Sequence, residues 1–180
     1  MGEPKGLFRF EGRPWIETQL AALAGRRVVL VLGRNRARYL EAVPDLAKRA
    51  DVVVNPDPDR GPFSSLQVGL AAVGASPGRP AFVLPVDVPA ASAGVWEALE
   101  AVLGPGLDAA IPSFEGRGGH PVLLAPPFIG RLRRLDPASP EARLDVALRS
   151  AEARLVPVDD ARVRLNLNAP EDWGKLGVGT

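Results

Sequence analysis

A single carboxylate held between two prolines, Pro85-Val86-Asp87-Val88-Pro89, follows directly on the apolar run Ala81 to Leu84. In open α/β sheets ligands bind beyond the carboxyl ends of the strands, so a carboxylate placed there faces the crevice. Asp87 is positioned to hold magnesium, which keeps several waters and needs only one or two protein oxygens beside the phosphates of a substrate. The same position suits a carboxylate that caps a turn before Pro89. On position alone the two readings are even.

Three further stretches carry polar chemistry. Asn55-Pro56-Asp57 to Gly61-Pro62 leads from a strand into a helix opening Phe63-Ser64-Ser65. Its first turn offers free backbone N–H groups and two hydroxyls to an anion or a base, or only ordinary serine capping. Gly69, inside that helix, implies a close neighbour, most simply a strand. Gly116-Arg117-Gly118-Gly119-His120-Pro121 permits a tight backbone approach, with Arg117 able to reach a phosphate and His120 the sole histidine of the chain. As a dinucleotide fingerprint this cluster fails, because it neither follows a long buried strand nor opens a helix. Asn166-Leu167-Asn168-Ala169-Pro170-Glu171-Asp172 reads as a strand end whose alternation turns both amides to one face. Those amides either meet a ligand or close the strand.

The elements that must position these groups alternate. Short β-branched runs (Arg27 to Leu32, Asp51 to Val54, Ala81 to Leu84) are separated by segments of helical spacing (Arg34 to Ala50 with a break at Pro44, Phe63 to Val73, and Ser92 to Leu103). Leu7 to Phe10 reads as extended, and Pro14 opens a helix that Gly25 closes. This rhythm predicts crossover units around a mostly parallel sheet. After Leu107 it changes: extended pieces at 107–112 and 121–124, helices near Phe128 and Ala142, strands at 155–158 and 163–167, and a last helix from Pro170. The spacing predicts an appended, partly antiparallel region within one domain spanning residues 1–180.

Composition removes several classes of function. With 22 basic against 21 acidic side chains, no charge excess points to bulk nucleic acid or an anionic membrane. Having no cysteine, the chain makes no disulfide, thiolate nucleophile or cysteine-ligated zinc, which fits a reducing compartment. No apolar run approaches the roughly 18 residues of a membrane span and no secretory leader is evident. A cytoplasmic location is expected.

Taken together and in this order, the segments resemble the enzymes that transfer a guanylyl or cytidylyl group to molybdenum cofactor, and their wider nucleotidyltransferase superfamily. The likeness covers nearly the whole chain. Met1-Gly2-Glu3-Pro4-Lys5-Gly6-Leu7 is similar to the tail of that family's glycine-rich signature, Lys5 matching its phosphate-binding lysine. Asn55-Pro56-Asp57 to Gly61, then Ser65-Leu66 and Gly69-Leu70, is similar to the segment that contacts the nucleotide base and ribose, and Pro85 to Pro89 to the metal-aspartate motif. Gly119-His120-Pro121-Val122 resembles a motif of the cytidylyl branch on the acceptor side, whereas asparagines at 166 and 168 sit better with the guanylyl branch.

What the resemblance implies is a Rossmann-like three-layer α/β fold, a mostly parallel sheet with a small antiparallel addition. It implies Mg2+ at Asp87 and Asn168, a nucleoside triphosphate (CTP or GTP) at Lys5, Asn55, Ser64, Ser65 and Asp87, with Lys5 and Asp87 catalytic. A phosphate-bearing acceptor, molybdopterin first, lies at Arg117 and His120, and a homodimer is compatible. A sugar-1-phosphate transferase or a non-catalytic nucleotide-binding paralogue is the alternative. The family's first strand and its two loop glycines have no counterpart here. Either the chain as written begins at an internal methionine, or a rearranged segment or a partner's strand takes that place; a genuine gap puts catalysis in question.

Overall fold

The computed structural model describes residues 3–74, 78–168, 172 and 174. A 3-10 turn at Lys5–Leu7 leads into a small antiparallel hairpin, β1 (Arg9–Phe10) and β2 (Arg13–Pro14), where Leu7 to Phe10 was expected to be extended throughout. Helix α1 (Trp15–Ala22) follows, starting at the residue after Pro14. Strand β3 (Val29–Leu32) pairs in parallel with β4 (Asp51–Val54) across α2 (Arg36–Ala42) and α3 (Leu46–Arg49). The break between the two helices falls at Pro44, whose ring lacks the N–H that a continuous helix needs.

Helix α4 (Pro62–Val73) leads to β5 (Ala81–Val83), and α5 (Ala93–Val102) to β6 (Ala109–Phe114). The short β7 (Arg117–Gly118) turns back on β6; β8 (Val122–Leu124), α6 (Pro126–Arg134), α7 (Leu144–Arg149) and β9 (Ala153–Pro157) follow. The second sheet runs β5-β8-β6-β7, with β9 also paired to β6. Because β8 is antiparallel to both β5 and β6, those two strands point the same way, and β9 is parallel to β6. The antiparallel strand therefore lies inside the sheet, between β5 and β6, instead of being appended at its margin.

Strand alternation sorts the side chains into layers. Ala109, Val122 and Leu124 pack with Leu70, Phe128, Ile129 and Leu132 from α4 and α6 on one face. Ala110, Leu123 and Val156 pack with Val95 and Leu99 of α5 on the other. A third cluster joins β3 to α1, α2 and α3 through Leu32, Ile16, Leu20, Tyr39 and Leu46. Helix α4 spans both sheets: Leu66 and Leu70 belong to the first cluster, while a side chain at Gly69 would meet Val31 Cγ2 at 3.0 Å. The close neighbour expected there is the strand β3.

Where Val163 to Leu167 reads as a strand by alternation, the chain instead makes a 3-10 turn over Ala161–Arg164. Asp160 fixes it, its carboxylate accepting from the Arg162 backbone N–H and pairing with the Arg162 guanidinium. Burial pushes the Asp160 carboxyl up, but those bonds and one from the Ser92 N–H outweigh it and hold its pKa below the usual value. The helix expected from Pro170 lies outside the described residues. Gly119 accommodates this turn: a Cβ there would lie 2.1 Å from the Val163 carbonyl oxygen. Gly119→Ala should therefore lower the free energy of unfolding by about 1–3 kcal/mol, read by denaturant titration; unchanged stability would remove this reason for the glycine.

Candidate active site

The loop Pro85 to Ala90 leaves the C-terminal end of β5 and is held from three sides. Gln19 of α1, buried, donates to the Val88 carbonyl at 2.5 Å and accepts from the Ala90 N–H at 2.8 Å. The indole of Trp15, one turn earlier on the same helix face, donates to the Val86 carbonyl at 2.6 Å. The Leu167 N–H donates to the Asp87 carbonyl at 2.7 Å. The backbone of the loop is thus occupied by structural bonds. The Asp87 carboxylate remains turned outwards to a cation.

That cation is Lys5. Its ammonium donates to Asp87 Oδ2 at 2.7 Å and to Asn168 Oδ1 at 2.6 Å. Lys5 is set by the 3-10 turn, in which the Leu7 N–H donates to the Pro4 carbonyl at 2.8 Å, and by Gly6, whose missing side chain admits the Tyr39 ring. A Cβ at Gly6 would come within 2.6 Å of the Tyr39 hydroxyl. Asn168 is fixed in turn by its N–H, which donates to the Asp172 carboxylate at 3.0 Å. Three residues separated by up to 163 positions therefore meet at one point.

The donor set tests whether a divalent metal fits. Asp87 and Asn168 supply two oxygens aimed at one cation position, and oxygen ligands are what magnesium or manganese takes. Among the described residues no cluster of three His, Cys, Asp or Glu side chains is placed to hold a metal. A metal here would have Asp87 and Asn168 as protein ligands and would take its remaining oxygens from water and substrate. Such sparse ligation suits magnesium bound together with phosphates.

A second polar cluster lies where β4 ends. Asn55, buried, donates from Nδ2 to Ser64 Oγ at 2.8 Å and to Ser65 Oγ at 2.9 Å, while its Oδ1 accepts from the Asp57 N–H at 3.0 Å. Ser64 Oγ donates to the Gly61 carbonyl at 2.8 Å. Ser64 is thereby committed to shaping the loop. Ser65 lines a cleft of about 390 Å³ at the C-terminal end of β3, with Pro4, Gly33, Arg34, Asn35 and Asp59. Arg34 pairs with Asp59 across its mouth.

His120 is largely buried, beside a cis bond to Pro121, and lines a larger groove that also contains Asp87 and Asn166. Burial is the main cause that lowers its pKa; a hydrogen bond to the Val83 carbonyl and the Asp87 carboxylate act in the opposite direction. The imidazole is neutral at pH 7, and its Nδ1 is buried without a partner. Arg117, by contrast, sits exposed on the β6–β7 hairpin and lines neither cleft. Of the glycines around it, Gly116 makes the turn with a positive φ, Gly118 lies against Ile111 and Leu155, and Gly119, two residues on, admits the chain's own Val163. Of the residues singled out in sequence, Lys5, Asp87 and Asn168 form one group, Asn55, Ser64 and Ser65 another, and His120 stands near the first.

Trp15 and Gln19 were not visible as site residues. The only signal was an amide at the fourth position after a tryptophan in an otherwise apolar helical stripe. With the geometry in place, the molecule is a three-layer α/β protein whose polar groups gather at the carboxyl ends of its strands, as in nucleotide-handling enzymes.

The chain belongs to the family described as the MobA-like NTP transferase domain, which it matches over residues 1–155. Among solved structures it is similar to Rv0371c from Mycobacterium tuberculosis H37Rv, with 22% identity, a TM-score of 0.75, and 98% of this chain and 89% of that one covered. A manganese complex of the same mycobacterial protein aligns with a TM-score of 0.72 and 21% identity over 96% and 90% of the two chains. The molybdopterin-guanine dinucleotide biosynthesis protein A of Archaeoglobus fulgidus aligns at 0.67 with 21% identity over 95% and 87%. These likenesses establish the nucleotidyltransferase fold. A search of curated proteins by sequence gave no match. No helix among the described residues is long and apolar enough to cross a membrane.

Two outcomes follow from the site. Gln19→Leu keeps the shape but leaves the Val88 carbonyl and Ala90 N–H without partners; at about 1–3 kcal/mol for each buried group, urea unfolding should show a loss of about 2–6 kcal/mol. A loss below about 0.5 kcal/mol would show that the loop does not depend on this clamp. Since the chain has one histidine, its imidazole NMR signal is unambiguous and should titrate below 6.5. The unfolded chain then takes up that proton first, so the His120 contribution to stability is complete above about pH 6.5 and declines as pH falls through the folded midpoint. A midpoint at or above 6.5 would refute the burial assigned to this ring.

Proposed function

We propose that this protein transfers a CMP or GMP group from a magnesium-bound nucleoside triphosphate to a phosphate-bearing acceptor, with molybdopterin cofactor as that acceptor. The observation that carries the reading is the convergence of Lys5, Asp87 and Asn168 at one point. An ammonium beside two metal-type oxygens is what a triphosphate and its metal require. Membership of the NTP transferase family supports the reaction class. The likeness to a molybdopterin-guanine dinucleotide biosynthesis protein supports the acceptor.

In this reaction an anionic phosphate oxygen of the acceptor forms a bond to the α-phosphorus. The bond from that phosphorus to the oxygen bridging to the β-phosphate breaks, and pyrophosphate leaves with the electron pair. The nucleophile is already deprotonated, so no general base is needed. Catalysis rests on positioning and charge. Lys5 neutralises phosphate oxygens, Asp87 and Asn168 hold the metal, and the metal supplies further charge neutralisation when bound.

Ser65 faces the nucleotide, with Asn55 and Ser64 shaping the loop behind it. His120 lies on the acceptor side, where a neutral imidazole offers Nδ1 as an acceptor. Arg117 reaches the acceptor only if the β6–β7 hairpin moves towards the cleft. The protein works in the cytoplasm.

Isothermal titration of Mg-CTP and of Mg-GTP, with Asp87→Ala beside the parent, tests the reading. One nucleotide should bind to the parent, naming the base, and the variant should lose that binding. Turnover with the favoured nucleotide should fall by at least about 100-fold in the variant, the usual effect of removing one preorganised electrostatic contact, while its far-ultraviolet circular dichroism is unchanged. Undiminished turnover in Asp87→Ala would overturn the assignment. Binding of nucleotide without turnover on any phosphate acceptor would favour the non-catalytic paralogue.

A further inference from the structure

Two large apolar side chains are exposed among the described residues, Val54 at 46% and Leu155 at 52%. Each stands on a strand at the margin of its sheet: β4 pairs only with β3, and β9 only with β6. Such margins are where another chain can add a strand, unless the edge is blunted. The two edges differ in what their backbones offer.

In β9 the Val158 N–H donates to the Ser113 carbonyl at 2.9 Å. That bond sets the phase of the parallel ladder, in which alternate residues bond inwards. Residues 154, 156 and 158 therefore bond to β6, while Ala153, Leu155 and Pro157 turn their backbone groups outwards. Pro157 has no N–H, and the Ala153 N–H is given to the Ala151 carbonyl at 2.9 Å. Only Leu155 keeps an outward donor, so the margin of β9 is blunted.

In β4 the N–H groups of Asp51 and Asn55 donate to the Val28 and Leu32 carbonyls, both at 2.8 Å. Residues 51, 53 and 55 therefore bond to β3, and the N–H and C=O groups of Val52 and Val54 turn outwards. Neither proline nor lysine interrupts this edge between Asp51 and Asn55. The side chains of Val52 and Val54 share one face by alternation. Val52 packs against the cluster around Leu46, and Val54 is left bare beside it.

We infer that β4 is the surface at which two copies of this chain pair, antiparallel and about a two-fold axis through Val53, joining their β3-β4 sheets edge to edge. The backbone dictates the register. With the axis at Val53, Val52 of one copy faces Val54 of the second copy and the two exchange both of their hydrogen bonds; the axis repeats the pair. Every outward N–H and C=O of both β4 strands is then satisfied. An axis at Val52 would instead face Val54 with Ala50, whose N–H is already given to the Leu46 carbonyl. The same register lays Val52 of the second copy beside the bare Val54.

Charge selects a second copy as the occupant. Lys48 is exposed just before β4, and Asp57 and Asp59 are exposed just after it. Antiparallel pairing sets the basic end of one copy beside the acidic end of the other, at both ends of the interface. Parallel pairing would set like beside like, which is unfavourable.

The inference does not rest on the proposed reaction, and its test uses no nucleotide. Sedimentation velocity over a concentration series should show monomer passing to dimer. Val54→Lys, which places a charge on the edge, should stay monomeric with unchanged far-ultraviolet circular dichroism. Hydrogen exchange followed by NMR reads the register: the N–H groups of 51, 53 and 55 are protected at every concentration, whereas those of Val52 and Val54 should slow by about tenfold or more as the dimer forms. Because the chain has no cysteine, Val53→Cys carries a single thiol. It meets its own counterpart at a Cα separation of about 4.5 Å, within the span of a disulfide. Mild oxidation should link this variant into a covalent dimer, while Leu155→Cys, on the more exposed position, lags far behind.

Three results would overturn the inference. A chain that stays monomeric up to about 1 mM means that the edge does not pair. A dimer that survives Val54→Lys, with Val52 and Val54 exchanging fast, means that another surface is used. Protection of Val52 and Val54 in the dilute monomer means that another part of the chain already covers the edge.

Discussion

Everything at the candidate site depends on the path of the Pro85 to Ala90 loop, and that path is imposed by α1. Gln19 pairs with two backbone groups of the loop and Trp15 with a third, all buried or half-buried. Each such bond, once lost, leaves a desolvated polar group worth about 1–3 kcal/mol. The ion pair between Lys5 and Asp87 is weaker support, because the lysine side chain is 37% exposed and the aspartate 20%. Pairs of that exposure contribute about 0–1 kcal/mol. The loop therefore holds Asp87 in place for Lys5, and not the reverse. The pair can open to admit a ligand without releasing the loop.

This division of labour explains how distant segments share one site. Lys5 arrives on a turn packed against Tyr39, Asp87 on a loop clamped by α1, and Asn168 on a stretch tied to that loop by the Leu167 N–H. Leu167 is itself fully buried, as is Val163 four residues earlier. Close approach of Val163 to Gly119 links the same stretch to β7 and His120. The polar groups are carried by loops, and the apolar residues beside them anchor those loops in the core. Positioning of this kind is what phosphoryl chemistry demands, since little else is asked of the protein there.

Much of the architecture was legible because it obeys simple periods. The runs at 27–32, 51–54 and 81–84 are too short to be helices, and prolines at 44 and 62 marked real helix boundaries. Asp87 was legible because a lone carboxylate follows a buried strand. Gln19 was not, since an amide in an apolar helical stripe reads as noise until its partners, about seventy residues away, are known. The stretch from Val163 misled for a different reason. Its alternating apolar and polar residues have the period of a strand, yet Val163 and Leu167 are also four apart. Asp160 bonds to the Arg162 N–H and curls the chain before any ladder forms. A side-chain bond to the backbone competed locally with the sheet and prevailed. Arg117 was drawn into the site by its glycine neighbours, which serve the hairpin turn at Gly116 and the packing against Ile111 and Leu155 at Gly118, while Gly119 makes room for Val163.

The sheet itself shows a conflict between layers and edges. Helix α4 binds β3 through Gly69 and the second sheet through Leu66 and Leu70, so the helical layer is continuous where the strand layer is not. The same holds on the opposite face, where α1 packs on β3 and clamps the loop after β5. Side-chain packing thus fixes the spacing of the two sheets before any backbone bond crosses between them. The site at the carboxyl ends is consequently assembled from both sides of the divide: Asp87 from the β5 side, Pro4 and Tyr39 from the β3 side, with Lys5 reaching across. Any change in the separation of β3 and β5 alters the distance from Lys5 to the Ser65 cleft as well as the groove. The precision of the site is set by how firmly α1 and α4 hold the two sheets in register.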